Sequence, residues 1–452
     1  MILLWRWNNL SKEIKKAIAA FSCIFIIFAA AVLFTEAINA WHIMDTYPDK
    51  GSAATPGIVE VYKPSAEAFD FQKSKVTTWL IRLFLSFAVP AFFVFSKLSV
   101  GIRDWAQKRA KRWVVIIAIY FVTYSLLEAL IYLPLDIYTG FFRMHEYGLS
   151  NQTFVQWWIE LIKSFIVNSL FGCLVVWVPF LIIKKSPKRW WLYLGLLMTP
   201  YLLFMSLIQP IVIDPIFNQY KAVEDKALSS EINNLLDKTN IGKTDIFQVD
   251  KSKETNQMNA YMTGVFNTKR IVLWDTTINN LNHEEVLGVV AHEMGHYLMG
   301  HIWKSIVIGG LGSIFVLFIV DKLCRWFMRK SQGRMGFHTL CDVAALPLII
   351  LMLNLVMFFV TPISNAYSRN MELEADRFEL ELTKNNFSTA TATVKLHQQS
   401  YALPEVGLVY MLWNFDHPEF KERVDFANTY MPWEEGKPLK YQKFLKENEE
   451  AK

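Results

Sequence analysis

The sequence predicts a mainly α-helical membrane protein in which seven spanning helices carry a polar α+β lobe. Three observations predict it: more apolar residues than a soluble core needs, seven apolar stretches long enough to cross a bilayer, and two polar segments of mixed charge between and after them. Of 452 residues, 53% are hydrophobic and only 19% charged, with a mean hydropathy of +0.23. Soluble domains run at about 45–50% apolar, so lipid is read as part of the solvent. The formal charge of +5 is spread over short loops with no long basic run; this reads as membrane-flanking charge, and no nucleic-acid partner is expected. Cys23, Cys173, Cys324 and Cys341 show neither metal-ligand spacing nor a disulfide framework.

A helix needs about 20 apolar residues to cross the hydrocarbon core. Stretches of that length run near 17–38, 79–102, 113–138, 164–185, 190–213, 306–327 and 338–363. Lys97, Arg112, Trp113, Lys184, Lys185, Trp190 and Trp191 flank them, as residues that anchor at headgroup level do. Arg6, Lys12, Lys15 and Lys16 precede the first stretch and give it some character of a signal sequence, but its apolar core is long and no small-x-small cleavage site follows. The expected organisation is therefore spans one to five over 1–213, a first part of the polar lobe over 214–303, spans six and seven over 304–363, and a second part of the lobe over 364–452. Within the first part, Ile246–Asp250 and the run from Ala260 to Trp274, broken at Asn267–Lys269, read as short strands with a hairpin.

From Asn282 onward the lobe reads as a helix, with Asn282 as N-cap, Glu285 three residues later and an apolar run from Val286 to Ala291. On it lies His292-Glu-Met-Gly-His296. Spacing of four places His292 and His296 one turn apart on one face, so both imidazoles can ligate one Zn2+ ion. Glu293, beside them, is the expected general base towards a water polarised by the metal. Two satisfied histidines on a polar face are the bland alternative. A third ligand separates the two. His301 does not fit the metzincin pattern, because the third-His and Gly positions hold Ile302 and Met299. Further on, Glu372 and Asp376 share a helical face while Glu374 points elsewhere, which makes Glu372 the candidate ligand and Asp376 the support for a ligand histidine. Taken alone, Glu372, Asp376 and Glu379 would read as a solvated face.

These residues resemble the type I CAAX prenyl endopeptidases, a gluzincin family in which His-Glu-x-x-His and a later Glu-x-x-x-Asp are separated by membrane helices. His145-Glu-Tyr-Gly-Leu-Ser-Asn-Gln-Thr153 with Trp157, Asn259-Ala-Tyr-Met-Thr-Gly264 and Asp416-His-Pro-Glu-Phe-Lys-Glu-Arg423 are similar to further segments of that family. The resemblance implies a seven-helix barrel around a water-filled chamber, capped by a zincin-like lobe that binds one Zn2+. It also implies a peptide or protein substrate, possibly lipidated, held in extended form along Asn259, Ala260 and Tyr261. His417, assisted by Arg423, would stabilise the oxyanion. Read without the resemblance, Asn259 is equally a turn residue and His417 a neighbour of a helix cap. Glu128, Asn168, Asp342 and Asn354 fall inside apparent spans and are expected to face a cavity or a neighbouring helix.

Membrane lipid is the remaining expected partner, in the plasma membrane of a bacterium or the endoplasmic reticulum membrane of a eukaryote; the residues set no oligomeric state. Basic residues crowd the loops near 97–112, 184–189 and 322–337, which the positive-inside rule places in the cytoplasm with the lobe on the other side. Family members that trim cytosolic C-termini need the opposite. A quality-control metalloprotease and a non-enzymatic chamber or transporter with a vestigial metal site are the competing functions.

Overall fold

The computed structural model describes residues 12–50, 57–242, 244–264 and 268–446. Arg6 and Asn267, which entered the readings of the first stretch and the hairpin turn, lie outside them. Seven helices among the described residues are long and apolar enough to span: α1 Lys12–Thr46, α2 Ala66–Phe95, α4 Trp113–Glu146, α5 Phe154–Lys185, α6 Trp190–Phe217, α10 His301–Ser331 and the segment Val343–Thr383, whose α-helix is α11 Leu346–Thr383. The count agrees with the sequence, but most ends do not. The second stretch begins at Ala66 and ends at Phe95, because Lys97 takes a left-handed conformation (φ 60°) and a separate, more polar helix α3, Leu98–Arg109, follows. The seventh begins later than expected, so Asp342 is not in a span: it caps the turn Val343–Ala345 and pairs with Arg103.

Between 6% and 39% of each apolar span is buried. Helices this accessible leave most of their surface to lipid and to the spaces between them. Arg82, Glu128, Tyr132, Asp136 and Asn168 line a polar cavity of about 400 Å³ between α2, α4 and α5. Arg82 and Asp136 form an ion pair there. Charged groups at this depth are tolerated where they face a cavity and pair. Asn354 instead donates across helices to the Ser86 carbonyl at 2.7 Å.

The lobe has a four-stranded sheet of order β1-β2-β4-β3, formed by Tyr220–Ala222, Asp245–Val249, Arg270–Trp274 and Ala260–Thr263. β3 runs antiparallel to β4 and, among the described residues, has no strand on its other edge. Helices α7 (Lys226–Asp237), α8 (Asp275–Asn280) and α9 (His283–Leu298) complete its first part, and α12 (Asn386–Gln399), α13 (Leu408–Asn414) and α14 (Phe420–Thr429) its second. Leu228, Ile232, Ile271, Leu273, Val286, Val290 and Met294 form one core with Phe378 of α11. A second core joins Val32 and Ile43 of α1 and Val76 of α2 to Leu403, Tyr410, Phe420 and Val424. The lobe is thus packed directly onto the lipid-crossing helices. The expected boundary at residue 363 falls inside α11, which runs unbroken from the membrane into the lobe.

Candidate active site

Helix α9 starts where the sequence places it. Asn282 Oδ1 accepts from Glu285 N–H at 2.9 Å, and Glu285 Oε2 accepts from Asn282 N–H at 3.0 Å. This reciprocal cap satisfies two donors that a helix start otherwise leaves open. Gly295 allows α11 to approach: a Cβ there would lie 3.2 Å from Ala375 Cα. At Gly300 the chain turns through φ 65° and restarts as α10, so His301 folds back towards His296.

His292 and His296 from α9 meet Glu372 from α11. His292 Nε2 lies 3.1 Å from His296 Nε2 and 3.2 Å from Glu372 Oε2, and His296 Nε2 lies 3.4 Å from Glu372 Oε1. Ligands about 2.0–2.1 Å from a tetrahedral centre stand about 3.3–3.4 Å apart. The triangle of donors is therefore of the size that one Zn2+ would fill, and two imidazoles with one carboxylate form a donor set suited to it. Burial disfavours a charged His292 ring, but Asp376 and Glu372 outweigh it and raise its pKa well above that of free imidazole. Such a cage favours a cation.

Behind the triangle, His292 Nδ1 is 2.9 Å from Asp376 Oδ1. The approach lies off the line of a good hydrogen bond, since that nitrogen has no well-directed partner, and the contact is best described as electrostatic. Asp376 is in turn gripped by Arg423 through Nε at 2.9 Å and Nη2 at 2.6 Å. Arg423 faces this carboxylate and is not among the residues that line the cavity at the donors. That differs from the expectation that it assists at the scissile carbonyl. His417 does line the cavity, with Nε2 3.3 Å from Glu372 Oε2 and Nδ1 2.8 Å from Asp416 Oδ1.

Glu293 also lines this cavity, of about 490 Å³. Its Oε2 accepts from the backbone N–H of Met262 on the outer edge of β3 at 3.2 Å. The strand and the carboxylate are thereby held together. Ala260, two residues earlier, has the same outward backbone direction. The Asn259 backbone is fixed by Trp274 N–H and the Thr277 hydroxyl, while its side chain is exposed outside the cavity. Tyr261 points away from it, its hydroxyl 3.1 Å from that of Tyr220.

Two residues were not legible as part of the site. His301 Nδ1 is 2.9 Å from His296 Nδ1, and its Nε2 is 3.2 Å from Glu374 Oε2. If His296 offers its Nε2 lone pair to a metal, Nδ1 carries the proton and donates to His301, whose Nε2–H donates to Glu374. The signal for Glu374 was its helical phase, about two hundred degrees round the helix from Glu372, which turns it towards His301 rather than towards the donor triangle.

Fold, membrane helices and donor set together define a membrane metalloprotease. The pattern of peptidase family M48 matches residues 222–430, and that of the CAAX prenyl protease N-terminal region, five membrane helices, matches residues 65–219. This chain belongs to the M48 family of CAAX prenyl protease type. It is 35% identical to the uncharacterized metalloprotease YhfN of Bacillus subtilis over 84% of this chain and 88% of that one. It is 29% identical to CAAX prenyl protease 1 of Saccharomyces cerevisiae over 66% and 69%. The fold matches the crystal structure of S. mikatae Ste24p with a TM-score of 0.70 at 21% identity, covering 89% of this chain and 98% of that one.

Proposed function

We propose that this protein is a zinc endopeptidase that cleaves membrane-associated or prenylated peptides near their ends. The observation that carries the reading is the triangle of His292, His296 and Glu372, of the size to hold one zinc ion, with Glu293 on the wall of the same cavity. When bound, zinc there supplies Lewis acidity to water and to the scissile carbonyl.

The chain's own residues would divide the remaining work. An extended peptide adds to the free edge of β3, where Ala260 presents unpaired backbone groups, Asn259 offers a side-chain clamp and Tyr261 holds the strand's far face. Glu293 takes a proton from the attacking water and passes it to the leaving amine. His417, beside Glu372 and open to the cavity, donates to the developing oxyanion. Asp376 steadies His292, and Arg423 acts through Asp376. The names of the relatives supply the prenylated substrate class, and Leu202, Ile302 and Ile306 on the wall of the metal-site cavity suit a lipid chain entering with the peptide.

Cleavage of a farnesylated C-terminal peptide by the purified protein in lipid, compared with Glu293→Gln, tests this reading. Zinc-dependent cleavage that disappears in the variant, with zinc still bound, supports it; cleavage unchanged in the variant overturns it.

One observation favours a second reading. With seven spans, the basic loops and the metal lobe lie on opposite sides, and basic loops are normally cytoplasmic. A lobe outside the cytoplasm would act on misfolded or membrane-inserted proteins rather than on cytosolic C-termini. Labelling of a single cysteine placed at Lys437 by an impermeant reagent in intact cells separates the two: labelled means outside.

A further inference from the structure

A second cavity lies at the other end of α10, on the opposite side of the membrane from the metal lobe. It has about 460 Å³ and is lined by Lys322, Arg325 and Arg329 of α10 and by Gly333, Phe337 and His338 of the loop that follows. Spacings of three and four residues bring Lys322, Arg325 and Arg329 onto one helical face. Gly333 takes φ 76°, and its missing side chain allows the His338 ring to close over the helix end, since a Cβ would lie 2.9 Å from His338 Cε1.

Asp321 compensates Arg325, but no ion pair among the described residues compensates Lys322 or Arg329. Asp321, on the same helix beside Lys322, is buried and already committed, accepting from Trp190 Nε1 at 2.6 Å and from Arg325 Nε at 2.8 Å. No carboxylate among the described residues lines the cavity. Lys322 lies over the Phe318 ring at 4.9 Å, which places its ammonium at the rim rather than in an ion pair.

The depth of the cavity indicates what fills it. Between Lys304 and Asp321, α10 carries no charged residue. Seventeen residues of helix rise about 26 Å, close to the hydrocarbon thickness of a bilayer of about 30 Å. Lys322 to Arg329 therefore stand at headgroup level, and Met328 and Phe337 supply the apolar part of the lining. A phosphodiester with a net negative charge matches the cations, and acyl chains continue along the helix below.

We propose that this cavity binds the phosphate headgroup of an anionic membrane lipid. Free phosphate offers the same charge, but it does not arrive at this depth already anchored. The site does not depend on the proteolytic reading and stands or falls without it.

Short-chain phosphatidylglycerol titrated into the full-length protein in zwitterionic micelles tests the inference, with the thermal unfolding midpoint as readout. Phosphatidylcholine of the same chain length and inorganic phosphate serve as the comparison arms. The expected result is a saturable rise with phosphatidylglycerol and little with phosphatidylcholine. Lys322→Gln with Arg329→Gln should raise the half-saturating concentration about thirtyfold, the equivalent of two lost cationic contacts of about 1 kcal/mol each. Lys108→Gln with Arg109→Gln, a charge-matched change in α3 on the same side, should leave it unchanged. Arg325 is left intact because it neutralises Asp321. Equal shifts with the two lipids, or equal weakening by both pairs of substitutions, would overturn the site. Saturation by inorganic phosphate at the same concentration would overturn the lipid. Should the double variant not fold, Arg329→Gln alone carries the same comparison.

Discussion

His301 and His296 face each other with their Nδ1 atoms 2.9 Å apart, although they belong to different helices separated by the turn at Gly300. The contact fixes the ring of a proposed metal ligand from behind, and Glu374 fixes His301 in turn. Replacing His301 with Ala should therefore weaken zinc affinity about 10- to 100-fold, the usual cost of losing a ligand's hydrogen-bond partner. Zinc retained after dialysis against graded chelator measures it. Glu374→Gln should show the same trend more weakly.

Glu293 touches the strand and the cavity but makes no side of the donor triangle. Glu293→Gln should lower turnover by about 10²–10⁴-fold while leaving zinc content unchanged. Steady-state cleavage and metal analysis of the same preparation check both halves.

Arg423 holds both oxygens of the buried Asp376. Arg423→Ala strands that carboxylate and should cost about 3–5 kcal/mol, the typical effect of removing one partner of a buried pair. Arg423→Lys keeps the charge and loses the fork, so its thermal midpoint should fall between wild type and Ala. Asp376→Asn combined with Arg423→Met should recover part of the loss, because no uncompensated charge remains.

Asp275 sets a pH dependence in the lobe. Burial pushes its carboxyl up, but hydrogen bonds from Ser252, Lys251 and Thr276 outweigh that and hold its pKa below the ordinary value. The depressed pKa contributes stability that is present above the unfolded value of about 3.9 and is lost as pH falls through the folded value. Thermal midpoints of wild type and Asp275→Asn should differ most at neutral pH and converge as pH drops below about 4. A constant gap would contradict this.

Much of this was legible in the sequence because its physics is local. Apolar length alone finds the seven spans, and the N-cap at Asn282 with four-residue spacing puts His292 and His296 on one helical face. Glu372 needed more: its helix phase shows which neighbours it shares, but nothing local shows that α9 packs against α11 through Gly295 and Ala375. Arg423 was legible as a charged residue near His417. Its actual partner, Asp376, depends on how α14 docks on α11. Span ends were least legible, since Lys97 in a left-handed conformation stops α2 inside an apolar run, and the polar face of α11 beyond residue 363 hides that the same helix continues.

That continuity has a mechanical consequence. Glu372 stands nine residues beyond Ile363, about 14 Å along one unbroken rod, and only one turn of chain separates His296 from the start of α10. If the proposed hydrolytic centre forms there, its height relative to the spanning helices is fixed by this rod, and it would behave as a gauge. Under the proposed function, a bond would be cut on reaching that height, so the distance from a substrate's membrane anchor to its scissile bond would be what such a protease measures.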